Sequence, residues 1–268
     1  MCGIYFSLSR RGFISPDLRT AQLLKNRGPD SFGTQQLMIP GSTSVDASSS
    51  EVHATFISTV LSLRGTTLTE QPLKDPITGS ILCWNGEAWS VAGQSVLDSD
   101  SCAVFNALLA SHPTDPARFR QSSIENLVQV LCSIKGPFAF VFYDAKLQCI
   151  FYGRDCLGRR SLLRKVAIDD ILVISSVCDN TSGEQWAEIE ADGIYVLDLI
   201  EAQTSLSTAT THVPHRRRGD ELANKLHFVG KSLLPRKSLK RQGYSLSHDQ
   251  PEHQHRNLYY RSGNYTQN

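Results

Sequence analysis

No stretch of this 268-residue chain approaches the roughly 20 consecutive apolar residues that a membrane-spanning helix requires. The N-terminus also lacks the apolar core of a secretory signal, because Ser7, Ser9, Arg10 and Arg11 interrupt it too early. Membrane insertion and export are therefore not expected, and a cytoplasmic location is the default reading. The seven cysteines (2, 83, 102, 132, 149, 156 and 178) form no Cys-x-x-Cys pair and no zinc-ligand spacing. Their odd number and the reducing compartment predict free thiols. Six of them sit in apolar or strand-like surroundings and read as small core hydrophobes, with Cys2 the exception. A charge excess of one sign is missing as well, since the net charge is +1. Nucleic acid is accordingly not an expected partner.

That near-neutrality hides an asymmetry. Residues 211–268 carry 11 Lys and Arg against 4 Asp and Glu, a local charge of +7, which leaves −6 on the preceding 210 residues. The mildly acidic body has the apolar patterning of a core. Strand-like runs occur at 2–8, 52–63, 81–84, 138–143, 149–152, 171–175 and 194–199. Helical periodicity follows Ser15-Pro16-Asp17 and stops at Asn26-Arg27-Gly28-Pro29, then returns over 102–109 and 124–131. Continuous apolar strands such as Phe138-Ala139-Phe140-Val141-Phe142 must be covered on both faces. Stacked sheets with helices outside satisfy this, so the reading is α+β and not a doubly wound parallel sheet. From about Thr204 onward sustained apolar periods end. Three adjacent arginines (216–218) and a polar, His-rich stretch predict a disordered basic tail over 201–268, clipped by protease near the arginines and dispensable for folding. His212, His215, His227, His248, His253 and His255 are expected to be solvated there.

Chemistry concentrates at Cys2. A residue this small at position two allows Met1 to be removed, leaving a thiol and a free α-amino group on one residue. The amine has an ordinary pKa near ~8, so it can take the thiol proton at neutral pH. Asn85-Gly86 offers a complement: a side-chain amide and an adjacent N–H able to donate to a developing oxyanion. The same pair is also the commonest tight hairpin turn, here following the run 81–84.

These residues lie within an ordered series. Met1-Cys2-Gly3-Ile4, Arg27-Gly28-Pro29-Asp30-Ser31, Gln71-Pro72-Leu73, Trp84-Asn85-Gly86-Glu87, Asp100, Gly136-Pro137-Phe138-Ala139-Phe140 and Gly153-Arg154-Asp155-Cys156-Leu157-Gly158-Arg159-Arg160 succeed one another. Over roughly residues 2–200 the series resembles the class II, N-terminal-nucleophile glutamine amidotransferases. Within them it resembles most the asparagine synthetase branch and the asparagine synthetase domain-containing proteins. The resemblance implies a four-layer αββα sandwich over 2–200, hydrolysis of glutamine to glutamate and ammonia through Cys2, and an oxyanion hole from Asn85 and Gly86. It implies substrate contacts from Glu87 and from Asp100, the latter to the α-amino group, although Asp100 can also be read as the N-cap of the following helix. Arg27 to Asp30 reads as an ordered turn shaping the pocket wall, with Gly28 supplying an unusual backbone angle and Pro29 fixing the next. Arg154-Asp155 reads as a local salt bridge.

Two departures qualify the expectation. The family's carboxylate-binding arginine falls on Val60, and the nearby cation Arg64 lies ~13 Å further along an ideal strand. Arg64 can bind substrate only if its loop folds back. Nothing in the sequence resembles the Ser-Gly-Gly-x-Asp loop of an ATP-using synthetase domain, so no cofactor is expected here, ATP and magnesium belonging to such a domain if a partner supplied it. The chain then reads as truncated before that domain. The alternative is a catalytically weak amidotransferase-like module used for interaction with a synthetase-type or other protein.

Overall fold

The computed structural model describes residues 1–40, 51–63, 67–112, 118–166, 171–179, 185–203 and 209–215. Two six-stranded antiparallel sheets carry the fold. The first runs, edge to edge, through β12 (Ala187–Glu188), β10 (Leu163–Val166), β11 (Leu172–Ser175), β1 (Gly3–Ser9), β3 (Val52–Val60) and β2 (Ser31–Ile39). The second runs through β14 (Thr210–Pro214), β13 (Gly193–Asp198), β9 (Cys149–Arg154), β8 (Phe138–Asp144), β5 (Ile81–Gly86) and β4 (Leu73–Lys74). Helix α1 (Leu18–Arg27), a small ribbon of β6 (Ser90–Val91) and β7 (Gln94–Ser95), α2 (Asp100–Ala110) and α3 (Arg120–Ser133) complete the elements that matter to the site.

Strand alternation sorts the side chains into three cores. In β8, Ala139, Val141 and Tyr143 meet Ile4, Phe6 and Leu8 of β1 between the sheets. The intervening Phe138, Phe140 and Phe142 turn the other way, onto Val104, Phe105 and Leu108 of α2 and Leu127 and Leu131 of α3. The first sheet buries its outer face under α1, where Tyr5, Ile57 and Val173 enclose Leu24. Helix, sheet, sheet, helix is thus the layer order, the αββα sandwich expected from the sequence. Each fully buried Phe or Leu contributes about 1.5–3 kcal/mol, so both faces of β8 stabilise the stack.

Helix α1 begins where Asp17 accepts the Thr20 amide at 2.9 Å and ends as the Gly28 amide bonds back to Leu24. Its last residue is Arg27, delivered to the open end of the sandwich.

The structure departs from the sequence reading in several places. Helix α2 begins at Asp100, with Ser99 in the N-cap position and without a side-chain cap. Asp100 is therefore not the cap. Asn85 and Gly86 are the last two residues of β5 and form no hairpin turn. Cys132 and Cys156 are exposed, one on α3 and the other in the turn after β9, so only four of the six expected core thiols lose their exposure wholly or partly. The second sheet continues beyond residue 200: β14 pairs with β13 and buries Val213. His212 consequently packs against Tyr195 with ring centroids 4.8 Å apart, and His215 lies 3.1 Å from the Arg154 carbonyl, neither being simply solvated. The arginine cluster and the rest of the basic stretch, 216–268, lie outside the described residues, as does Arg64.

Candidate active site

Cys2 precedes β1, the strand held between β3 and β11. Gly3 donates to Thr59 Oγ1 at 3.1 Å, and a Cβ on Gly3 would stand 2.5 Å from that oxygen, so only glycine lets the strand start this close. Ile4 donates to Ser176 Oγ and accepts from the Ser176 amide. The backbone just after the thiol is thereby fixed from both sides.

The Arg27–Asp30 turn fastens what remains. Arg27 Nε donates to the Cys2 carbonyl at 3.2 Å, and Nη1 donates to Ser161 Oγ and to the Ser176 carbonyl. Gly28 has an ordinary negative φ of −140°, and its role is proximity. A Cβ there would lie 2.4 Å from Thr59 C and 2.5 Å from Val60 N. Asp30 accepts the Ser62 amide at 2.8 Å, and its own amide bonds Val60 O. One turn therefore sets both the nucleophile's carbonyl and the 60–62 wall beside it.

Val60, Leu61, Asn85, Gly86, Glu87, Asp100 and Arg160 join Cys2 around a single cavity of about 200 Å³. A larger cavity of about 670 Å³ lies elsewhere, against α3 and β14, and includes none of these residues. The smaller one is assigned as the site because the motif residues meet there.

Its donors are unusual. Asn85 is buried, and its Nδ2 has no hydrogen-bond partner among the described residues. Leaving a buried donor unpaired costs about 1–3 kcal/mol, which an acceptor entering the cavity would relieve. The Glu87 amide donates to Pro137 O at 2.9 Å, which makes that a hydrogen-bonded pair of the β5–β8 ladder. By antiparallel alternation Gly86–Phe138 is a non-hydrogen-bonded pair, so the Gly86 N–H turns away from β8. It leaves on the same edge as the Trp84 amide, which meets the cavity-lining Gln71 Oε1 at 2.8 Å.

Asp100 is held for use. Trp84 Nε1 and the Ala88 amide both donate to Oδ2, each at 2.9 Å, so neither bond occupies Oδ1. Glu87 is already paired, accepting from Arg160 Nη2 at 2.8 Å. Thr69, Ser99 and Ser101 form a hydroxyl chain along the rim.

Burial pushes the Cys2 thiol above its ordinary pKa, against the pull of hydrogen bonding with the Leu61 backbone and of nearby positive charge. Burial lowers the α-ammonium of Met1 below its ordinary value of 8.0.

The Arg154–Asp155 salt bridge expected from sequence is absent. Arg154 pairs with Glu188 at 2.6 Å and Asp155 with Arg159 at 2.9 Å. Arg160 was not among the residues that the sequence singled out for substrate; its signal was an ordinary run of basic residues in a turn.

The αββα sandwich thus brings Cys2, an asparagine-glycine pair and a buried aspartate to one cavity. No family model matches the chain. It is 31% identical over 236 residues to asparagine synthetase domain-containing protein 1 of Bos taurus, covering 84% of this chain and 32% of that one. The Homo sapiens protein of the same name is 34% identical over 208 residues, covering 74% and 28%. The chain is similar to these asparagine synthetase domain-containing proteins, and it spans about a third of the length of the relatives it matches. Among solved structures, a glutamine phosphoribosylpyrophosphate amidotransferase from B. subtilis, in complex with ADP and GMP, overlaps 80% of this chain and 49% of its own. The TM-score is 0.47 at 14% identity.

Proposed function

We propose that the domain hydrolyses glutamine to glutamate and ammonia through Cys2. The observation carrying this reading is that Cys2, Asn85, Gly86, Glu87 and Asp100, separated by up to 98 positions in sequence, line one cavity of about 200 Å³. With Met1 removed, the Cys2 α-amine takes the thiol proton and the thiolate adds to the side-chain amide carbon. Asn85 Nδ2 and the Gly86 N–H donate to the resulting oxyanion. The protonated amine then returns its proton to the leaving nitrogen, the C–N bond breaks and ammonia departs. Water adds to the thioester, glutamate leaves and the thiol is restored. Asp100 Oδ1 and the Glu87 carboxylate face the substrate's ammonium. Synthesis of asparagine from that ammonia would require an ATP- and magnesium-using domain as partner.

A second reading is favoured by one observation: Val60, at the position of the family's arginine, is only 4% exposed and supplies no charge to the cavity wall. In that case the domain is an interaction module that turns over glutamine poorly or not at all.

Intact mass and a glutaminase assay separate the two. The expected result is equimolar glutamate and ammonia from Met-free chain, and none from Cys2→Ala. Absence of turnover, together with no covalent capture of Cys2 by a glutamine-like electrophile in Met-free protein, would leave the module.

A further inference from the structure

We infer that Arg160 receives the α-carboxylate of the substrate, filling the role that Val60 cannot. The inference rests on the glutaminase reading and deepens it, because it restricts the substrate to amino acids with a free carboxylate.

The guanidinium is only partly used. Its Nη2 donates to Glu87, while its Nε–H is buried without a partner among the described residues. Five donors in a planar fork are more than one carboxylate oxygen can occupy, and the edge not spent on Glu87 suits a second carboxylate. The position is not a floppy one. Arg154 grips the turn before it, donating from Nε to the Arg160 carbonyl at 2.7 Å and from Nη2 to the Gly158 carbonyl. Asp155 takes the Leu157 and Arg159 amides, each at 3.1 Å. Two buried charged residues thus hold residues 157–160 and aim Arg160 at the cavity it lines.

Among the described residues, the alternatives near the pocket are spent or uncharged. Arg27, which is not in the cavity lining, donates to two carbonyls and a hydroxyl that remain once Met1 is gone, and its bond from Nε holds Cys2. Val60 is apolar. Asp100 and Glu87 bring negative charge to the same walls. A ligand carrying one carboxylate and one ammonium therefore finds a cation for the first and anions for the second, with the Arg160–Glu87 pair as the seam between them.

The test compares glutamine with its α-carboxamide, in which the carboxylate charge is removed and the side chain kept. Wild-type Met-free chain is expected to favour glutamine in KM by roughly 10- to 150-fold. Arg160→Gln should raise KM for glutamine by a similar factor, leave the α-carboxamide nearly unchanged, and alter kcat by only a few-fold. Arg160→Lys, which keeps the charge but loses the fork, should restore part of the preference. Glu87→Gln should keep the preference, because it removes Arg160's neighbour and not the fork. Calorimetric binding to Cys2→Ala protein supplies the same comparison without turnover. An Arg160→Gln chain that binds glutamine as wild type does, or weakens both ligands equally, overturns the role while leaving the glutaminase reading in place. Failure of wild-type chain to bind or hydrolyse glutamine at all would instead remove the reading itself.

Discussion

Arg27 Nε stands 3.2 Å from the main-chain oxygen of Cys2, so the residue that ends the first helix is a clamp on Cys2. Replacing Arg27 by Met removes the clamp and leaves the thiol in place. The expected outcome is a fall in kcat of about 10- to 100-fold, since small displacements of a reacting group cost that much. Glutamine affinity, read by calorimetry, should stay near wild type, and labelling of Cys2 by a glutamine-like electrophile should slow in parallel with kcat.

Asn85→Ala removes the unpaired donor. Loss of one oxyanion donor typically costs 10²–10³ in kcat, and the same loss is expected here with KM little changed. Thermal stability should be unharmed or slightly raised, because a buried unsatisfied group disappears. A variant with wild-type kcat would take Asn85 out of the mechanism.

Gly28→Ala is expected to destabilise the fold by at least about 1–3 kcal/mol, measured by urea unfolding. The added methyl meets backbone atoms of Thr59 and Val60 at 2.4–2.5 Å, and backbone cannot rotate away as a side chain can.

Ending the chain at residue 203 should cost more than ending it at 215. The shorter chain loses β14, uncovers β13 and gives up Val213, whose burial alone contributes about 1.5–3 kcal/mol. Melting curves of the two lengths decide the matter; equal stability would show that β14 only rests on the sheet.

Alkaline pH should weaken the fold. Burial pushes the Cys83 thiol up to about 12 from an ordinary 9.0. The folded chain then keeps a proton that the unfolded chain gives up. Stability is complete below pH 9 and declines as pH rises from there through the folded value. Urea midpoints should drop between pH 8 and 10.5, less steeply in Cys83→Ala.

What the sequence made legible was the pattern that obeys strong local rules. The both-face burial of β8 was written in Phe138-Ala139-Phe140-Val141-Phe142, and the motif residues Cys2, Asn85, Gly86, Glu87 and Asp100 do converge. Edges were harder. Strand β2 carries exposed Phe32 and Met38 on its outer face, which breaks the hydrophobic-in, polar-out signature that marks a strand. Strand β14 lies among basic and polar residues whose composition spoke for disorder, yet pairing with β13 outweighs composition there. Arg160 gave no signal because its meaning comes from being held against Glu87 across 73 positions.

Strand β1 lies inside its sheet, between a partner about 50 residues downstream and another that ends at Ser175. The segment that carries Cys2 is therefore among the last to find its neighbours. A nascent chain shorter than about 175 residues cannot seat the Cys2 thiol between its proper walls, so the candidate site assembles only once nearly the whole domain has emerged.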